Sequence, residues 1–213
     1  MLNVCEIFAS IQGESTRAGR LCVFVRLSGC NLRCVWCDTQ YSYGNSGVSM
    51  SVDEILREVG QYNIKLVEIT GGEPLLQPEV VPLCEKLLSG GYDVMVETNG
   101  SLDIGVVPKG IKRVVDVKCP DSGSGGSFLI DNLKYINSND ELKFVLASIN
   151  DAIWARQFCD EHSTISKCQV IFSPVPSSLP YDTLADWMIE NKLDGIRLGI
   201  QLHKVIWGDG TKN

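Results

Sequence analysis

The sequence predicts an α/β fold, with a partial or open barrel as the best fit. Three observations carry that expectation. Apolar, β-branched runs recur with helix-period segments between them, which implies parallel strands joined by crossovers. Only six or seven such runs are present, too few for a closed eight-strand barrel. They lack clean polar alternation, as strands covered on both faces do, and polar residues gather where they end. A doubly wound open sheet is the alternative arrangement of the same elements.

The elements follow in order. LCVFVRL (Leu21–Leu27) reads as the first strand, and SVDEILREVGQY as an amphipathic helix with Ser51 as its N-cap. KLVEIT (Lys65–Thr70) is the next strand, followed by a helix in QPEVVPLCEKLLSGG that Gly90 and Gly91 stop. YDVMVET (Tyr92–Thr98) and KRVVDVK (Lys112–Lys118) are strands joined by NGSLDIGVVPKG, too broken for a helix. The chain then gives the strand ELKFVL, the helix NDAIWARQFCDE, the strand CQVIF, the helix LPYDTLADWMIENK and a last strand GIRLGIQL. PDSGSGGS (Pro120–Ser127) reads as a long mobile loop rather than an interdomain linker, because the same alternation continues after it. One domain over residues 1–213 is therefore expected.

With 44% hydrophobic residues, 21% charged residues and a net charge of −7, the composition is that of a globular protein without a broad grip on nucleic acid or anionic lipid. The opening stretch lacks a basic region leading into a long apolar run, and no segment has the length of a membrane span. A soluble, cytoplasmic chain is the expectation. Among nine cysteines, Cys5, Cys22, Cys84, Cys119, Cys159 and Cys168 are scattered through apolar contexts and read as small hydrophobes.

The other three sit in SGCNLRCVWCDT as Cys30, Cys34 and Cys37. A structural zinc needs four protein ligands, and the two histidines, His162 and His203, are far away in sequence. A [4Fe–4S] cluster held by three thiolates fits better and leaves one iron open for chemistry. The polar strand ends TGGEP, ETNG, DVKCP, SPVP and QLHK would form a ring around that loop.

The Cys-x3-Cys-x2-Cys spacing, with Trp36 before the last cysteine, resembles the signature of the radical S-adenosylmethionine superfamily, and TGGEP strengthens it. The resemblance implies a partial (β/α)6 barrel of the radical SAM type, somewhat abbreviated, in agreement with the strand count. Cys30, Cys34 and Cys37 would hold the cluster, and Gly72 and Glu73 would receive the methionine amino group of S-adenosylmethionine. EIFASIQGES, FVRLSGCNLRCVWCDT, TGGEP, ETNG, DVKCP and QLHKVIWG further resemble the 7-carboxy-7-deazaguanine synthase family, from Glu6 to about Gly208. That implies a magnesium-dependent radical ring contraction of 6-carboxy-5,6,7,8-tetrahydropterin with loss of ammonia, in 7-deazapurine (queuosine) biosynthesis.

By the same resemblance, Ile11, Gln12, Gly13, Glu14, Arg26, Thr70, Glu97 and His203 match substrate positions. Trp36, Cys37, Asp38, Gly72, Glu73, Asp116, Val117, Lys118, Ser173, Pro174, Val175 and Pro176 match stretches lining S-adenosylmethionine, and Thr39 matches the Mg2+ ligand. The implied partners are an electron donor such as flavodoxin or ferredoxin and a second copy of the chain, with no nucleic acid and no membrane. Ser15 stands where relatives often carry Gly, and the tail WGDGTKN has no clear match. On residues alone, Arg26 is either a carboxylate fork or half of a buried ion pair. Thr39 is either a ligand or a helix cap, and His203 either a contact or a satisfied core histidine. A glycyl-radical-enzyme activase shares the cysteine spacing but gives ASIQGES and QLHK no purpose. A non-catalytic iron–sulfur electron-transfer protein leaves the Gly-Gly-Glu stretch unexplained.

Overall fold

The structure, a computed structural model, describes residues 1–44 and 47–208. The chain enters on β1 (Leu2–Ile11), turns back along β2 (Leu21–Leu27), and adds a short β3 (Val48–Met50) before α1 (Val52–Gln61). It then alternates through β4 (Leu66–Gly71), α2 (Val80–Ser89), β5 (Asp93–Thr98), β6 (Lys112–Asp116) and β7 (Glu141–Leu146). The last elements are α3 (Ile149–His162), β8 (Gln169–Pro174), α4 (Tyr181–Glu190), β9 (Ile196–Leu198) and α5 (Leu202–Trp207). The described strands form one open sheet in the order β3-β1-β2-β4-β5-β6-β7-β8-β9. From β2 to β9 every pairing is parallel, whereas β1 pairs antiparallel with both β2 and β3. This is the expected partial barrel, with antiparallel additions on one edge.

Helix positions follow the sequence closely. Ser51 accepts from the Glu54 N–H while Glu54 returns a bond to the Ser51 backbone, a capping box of roughly 0.5–2 kcal/mol at the start of α1. Ile55 and Val59 of α1 and Leu83, Cys84 and Leu87 of α2 cover Val23, Val25, Val67, Ile69, Val94 and Val96 on the outer sheet face. Ala152, Ala155 and Phe158 of α3 and Leu184 and Met188 of α4 cover Val115, Leu142, Phe144, Val170 and Phe172 in the same way. These residues alternate along their strands with side chains on the other face, so only one face carries the helix layer.

Four expectations need correction. The strands do alternate: Phe24 and Arg26, Glu68 and Thr70, Met95 and Glu97, Val114 and Asp116, and Lys143 and Val145 line the inner face. Apolar partners between them hid this period, because a lumen tolerates Met and Val beside charges. The segments of β1 and β3 are strands that their mixed composition did not announce. The last strand stops at Leu198; Gln201 is the N-cap of α5, and Leu202, His203 and Lys204 form its first turn. The Gly-rich Pro120–Ser127 segment is held in place: Val35 N donates to Ser122 O (3.0 Å) and Asp121 N to Asp151 Oδ1 (3.0 Å).

The connection from β1 to β2 folds across the N-terminal ends of the parallel strands. Thr16 donates its N–H (3.0 Å) and its hydroxyl to Glu141 at the start of β7, and Glu141 pairs with Lys112 at 2.9 Å. Arg17 and Arg20 reach Asp93 at the start of β5. The hairpin is thereby pinned as a floor beneath the barrel. Its tip requires a left-handed residue, and Ser15 supplies it at φ 64°.

Candidate functional site

Above this floor lies a cavity of about 510 Å³, lined by the inward residues of β1, β2 and β4 to β7, by the hairpin, by the cysteine loop and by α5. The cysteine loop leaves β2 at its C-terminal end, so the thiols ring the mouth, opposite the floor. Cys30, Cys34 and Cys37 are all half-buried and all face the cavity. Leu32 N donates to Cys30 Sγ (3.4 Å), the kind of bond that stabilises a thiolate. Cys37 N closes a turn on Cys34 O (3.3 Å), and Tyr43 donates to Cys34 O (3.4 Å). Among the described residues no group of three His, Cys, Asp or Glu side chains is drawn together around one metal ion. A cubane would take three thiolates, and Cys30, Cys34 and Cys37, unbridged and facing one cavity, supply that donor set.

The glycine pair after β4 fixes this loop against its neighbour. A Cβ on Gly71 would lie 2.1 Å from Leu27 O, and one on Gly72 2.1 Å from Gly29 O. Their absence lets Gly72 N donate to Leu27 O (3.1 Å) and Glu73 N to Gly29 O (2.8 Å). Gly72 faces the cavity beside Cys30. Glu73 does not: its buried carboxylate accepts from Thr98 Oγ1 (2.8 Å), Asn99 N (2.7 Å) and Leu75 N (3.0 Å), an anchor behind the wall. Val117 lies in the outer core, and of Ser173–Pro176 only Val175 lines the cavity. Asp116 and Lys118 do line it and pair at 2.8 Å, with Asp116 Oδ1 left unpartnered and buried.

Deeper in the lumen the charges converge. Lys143 is 4% exposed and donates to Glu14 Oε2 (2.7 Å) and to Glu97, with Asp116 Oδ2 at 3.7 Å. Burial opposes the charge of Lys143, but the three carboxylates outweigh it and hold its pKa well above the usual lysine value. Burial likewise opposes ionisation of Glu14, yet Lys143 and a 2.7 Å bond from Gln201 bring it down to about 2. Thr70 Oγ1 donates to Glu97 Oε2 (3.1 Å), and Gln12 Nε2 donates to Glu68. Gln12 Oε1 in turn accepts from Glu14 N (2.8 Å).

Arg26 faces the same cavity. Its Nε is 2.7 Å from Glu6 Oε1, which also accepts from Tyr41 (2.7 Å), and the guanidinium lies 5.8 Å from the Phe8 ring centroid. The buried ion pair and the cavity position thus both exist. Thr39 precedes a short 3-10 turn without capping it through its side chain; its hydroxyl lies 3.6 Å from Cys37 Sγ. His203 packs on Gly13, where a Cβ would meet its Nδ1 at 2.2 Å, and Leu202 N donates to Gly13 O (2.9 Å). Lys204 of α5 approaches Asp38 in the cysteine loop at 3.7 Å. Ile11, Trp36 and Asp38 line the cavity as well.

Glu68, Lys143, Gln201 and Tyr41 are cavity residues that the motifs did not single out. For Glu68 and Lys143 the signal was a charge inside an apolar strand, two residues from another lumen position. The Radical SAM superfamily model matches residues 24–120. The 7-carboxy-7-deazaguanine synthase of Koribacter versatilis is 46% identical, with 99% of each chain covered. That of Chlorobaculum tepidum is 40% identical over 99% of this chain and 96% of its own. In three dimensions the chain is similar to QueE from Escherichia coli, with a TM-score of 0.79, 21% identity, and 94% and 93% of the two chains covered. With near-complete coverage at such identities, the chain belongs to the 7-carboxy-7-deazaguanine synthase family of radical SAM enzymes.

Proposed function

We propose that this chain converts 6-carboxy-5,6,7,8-tetrahydropterin to 7-carboxy-7-deazaguanine, by a Mg2+-assisted radical ring contraction that releases ammonia. The observation that carries this reading is the alignment of two layers in one cavity: a three-thiol mouth above a charged lumen. When bound, the [4Fe–4S] cluster and S-adenosylmethionine supply one-electron radical chemistry at that mouth. The chain's own residues do the rest. Cys30, Cys34 and Cys37 hold the cluster, and Gly72, Asp116 and Lys118 border the cofactor beside them. Glu97 and Glu14 accept from the amino-pyrimidinone N–H groups of a pterin, while Arg26 offers a guanidinium to its carboxylate. The lumen excludes water and holds the ring under the mouth, so orientation is the main contribution of the walls.

Thr39 would give Mg2+ one hard oxygen, with substrate oxygens and waters completing its shell. We further propose one domain over the chain, a cytoplasmic setting, a flavodoxin- or ferredoxin-type electron donor and a homodimer. The edge strand β3, with Val48 68% exposed, offers a second copy a surface to cover. The deciding experiment is anaerobic turnover of the carboxypterin with dithionite-reduced protein, reading 7-carboxy-7-deazaguanine and 5′-deoxyadenosine together. Formation of 5′-deoxyadenosine without the deazapurine would overturn the substrate assignment. A Mg2+ titration of Thr39→Ala that matches the parent would remove Thr39 from the metal site.

A further inference from the structure

Glu68 sits in the middle of β4, points into the lumen, is 3% exposed and has no cation bonded to it among the described contacts. Its carboxyl group faces the lumen beside Glu97 of the neighbouring strand β5, where Glu68 lies opposite Met95, and it accepts from Gln12 Nε2 of the hairpin. Two carboxylates side by side and away from water repel when both are ionised, and one proton turns the contact into a hydrogen bond. The surroundings decide which residue carries it. Glu97 already accepts from the Lys143 ammonium and from Thr70 Oγ1, both of which favour its charged form. Glu68 has only the neutral Gln12 amide. With a proton on one oxygen and the other accepting from Gln12, each Glu68 oxygen has a partner of the correct polarity.

We propose that Glu68 is a positioning residue: it carries a buried proton, donates it in a hydrogen bond to Glu97, and so holds Glu97 as the charged acceptor of the cavity. This rests on the reading that Glu97 contacts substrate. The groups facing Glu68 agree with a neutral acid. Glu97 on β5 and Glu14 on the hairpin disfavour a further negative charge there, and Lys143 on β7 and Arg26 on β2 favour one but are committed to Glu14 and Glu97, and to Glu6. The Cys22 thiol on β2 is also close and stays protonated, because burial and Glu68 raise it. Burial first, and then Glu97, hold the Glu68 carboxyl well above the ordinary carboxylate range. Through Gln12, whose Oε1 receives Glu14 N, the same residue ties the hairpin to the strand wall.

Glu68→Gln separates this role from that of a charge or a mere filler. A glutamine amide donates to Glu97 and its carbonyl accepts from Gln12, reproducing the neutral acid. In cluster-loaded protein, Glu68→Gln should keep kcat and KM for the carboxypterin within about twofold of the parent. Glu68→Ala should raise KM about tenfold or more, while uncoupled cleavage of S-adenosylmethionine persists. Thermal melting gives a test free of substrate. An acid whose folded pKa is raised binds its proton more tightly in the fold, so its contribution weakens as pH rises from about 4.5 through the folded value. The melting temperature of the parent should therefore fall relative to Glu68→Gln as pH rises above about 5. Parallel melting profiles, or a Glu68→Gln defect as large as that of Glu68→Ala, would overturn the proposal. Absence of carboxypterin turnover in the parent would instead overturn the proposed function, with the melting comparison still deciding where the proton resides.

Discussion

Replacing Lys143 by Met removes the one ammonium shared by Glu14 and Glu97 and leaves an apolar stem of similar length. The cost follows from the carboxylates left behind. Glu14 is held from an ordinary 4.5 down to about 2, chiefly by Lys143 against the opposing effect of burial. That displacement corresponds to about 3 kcal/mol of linkage, in line with the ~3–5 kcal/mol for breaking a buried pair. The sign is set by the lowered carboxylate: its contribution is present above about 4.5 and is lost as pH falls through about 2. The raised Lys143 contributes below its unfolded value of about 10.5, losing the effect as pH rises through its folded value. Anaerobic urea unfolding of the cluster-loaded protein should therefore show Lys143→Met less stable by about 3 kcal/mol at neutral pH, with the gap narrowing below about pH 4. A loss under about 1 kcal/mol, or a gap that does not change with pH, would refute this account of the lumen charges.

Three further outcomes are expected. Cys34→Ser should lose the broad thiolate-to-iron absorbance near ~400 nm. Cys84→Ser should keep that absorbance, since Cys84 lies on the buried face of α2 with its thiol pushed up to about 12 by burial. Ser15→Gly should raise the unfolding midpoint by the equivalent of about 0.5–1 kcal/mol, because glycine relieves the left-handed strain at the hairpin tip despite its larger unfolded-state entropy. A lower midpoint would show that the Ser15 Oγ bond from Arg17 N (2.9 Å) outweighs that strain.

The parts legible in the sequence were those with local rules. Ser51 and Glu54 announce a helix start within four residues, and the β-branched runs around Val67, Val94 and Val114 announce strands. The cysteine loop and TGGEP could be read because their chemistry is local too. What escaped depends on distant partners. β1 is a strand through its pairing with β2 and β3, and α5 is fixed by contacts from Gly13 and Asp38 far up the chain. Glu68 and Lys143 look like isolated charges in KLVEIT and ELKFVL; only the barrel brings them to Glu97 and Glu14. Glu73 shows the converse: a motif residue whose neighbours Thr98 and Asn99 draw it out of the cavity.

The hairpin pinned across the starts of β5 and β7 also sets a timetable. With Thr16 on Glu141 and Arg17 on Asp93, the lower end of the barrel is stoppered, which leaves the side of the cysteine loop and the open seam between β1 and β9 for traffic. A molecule resting against Glu14 and Glu97 lies beneath anything held beside Cys30 and Gly72. Such a vessel fills from the bottom and empties from the top. For anything that enters past the cysteine loop, the deeper occupant arrives first and departs last, so depth in the fold becomes sequence in time.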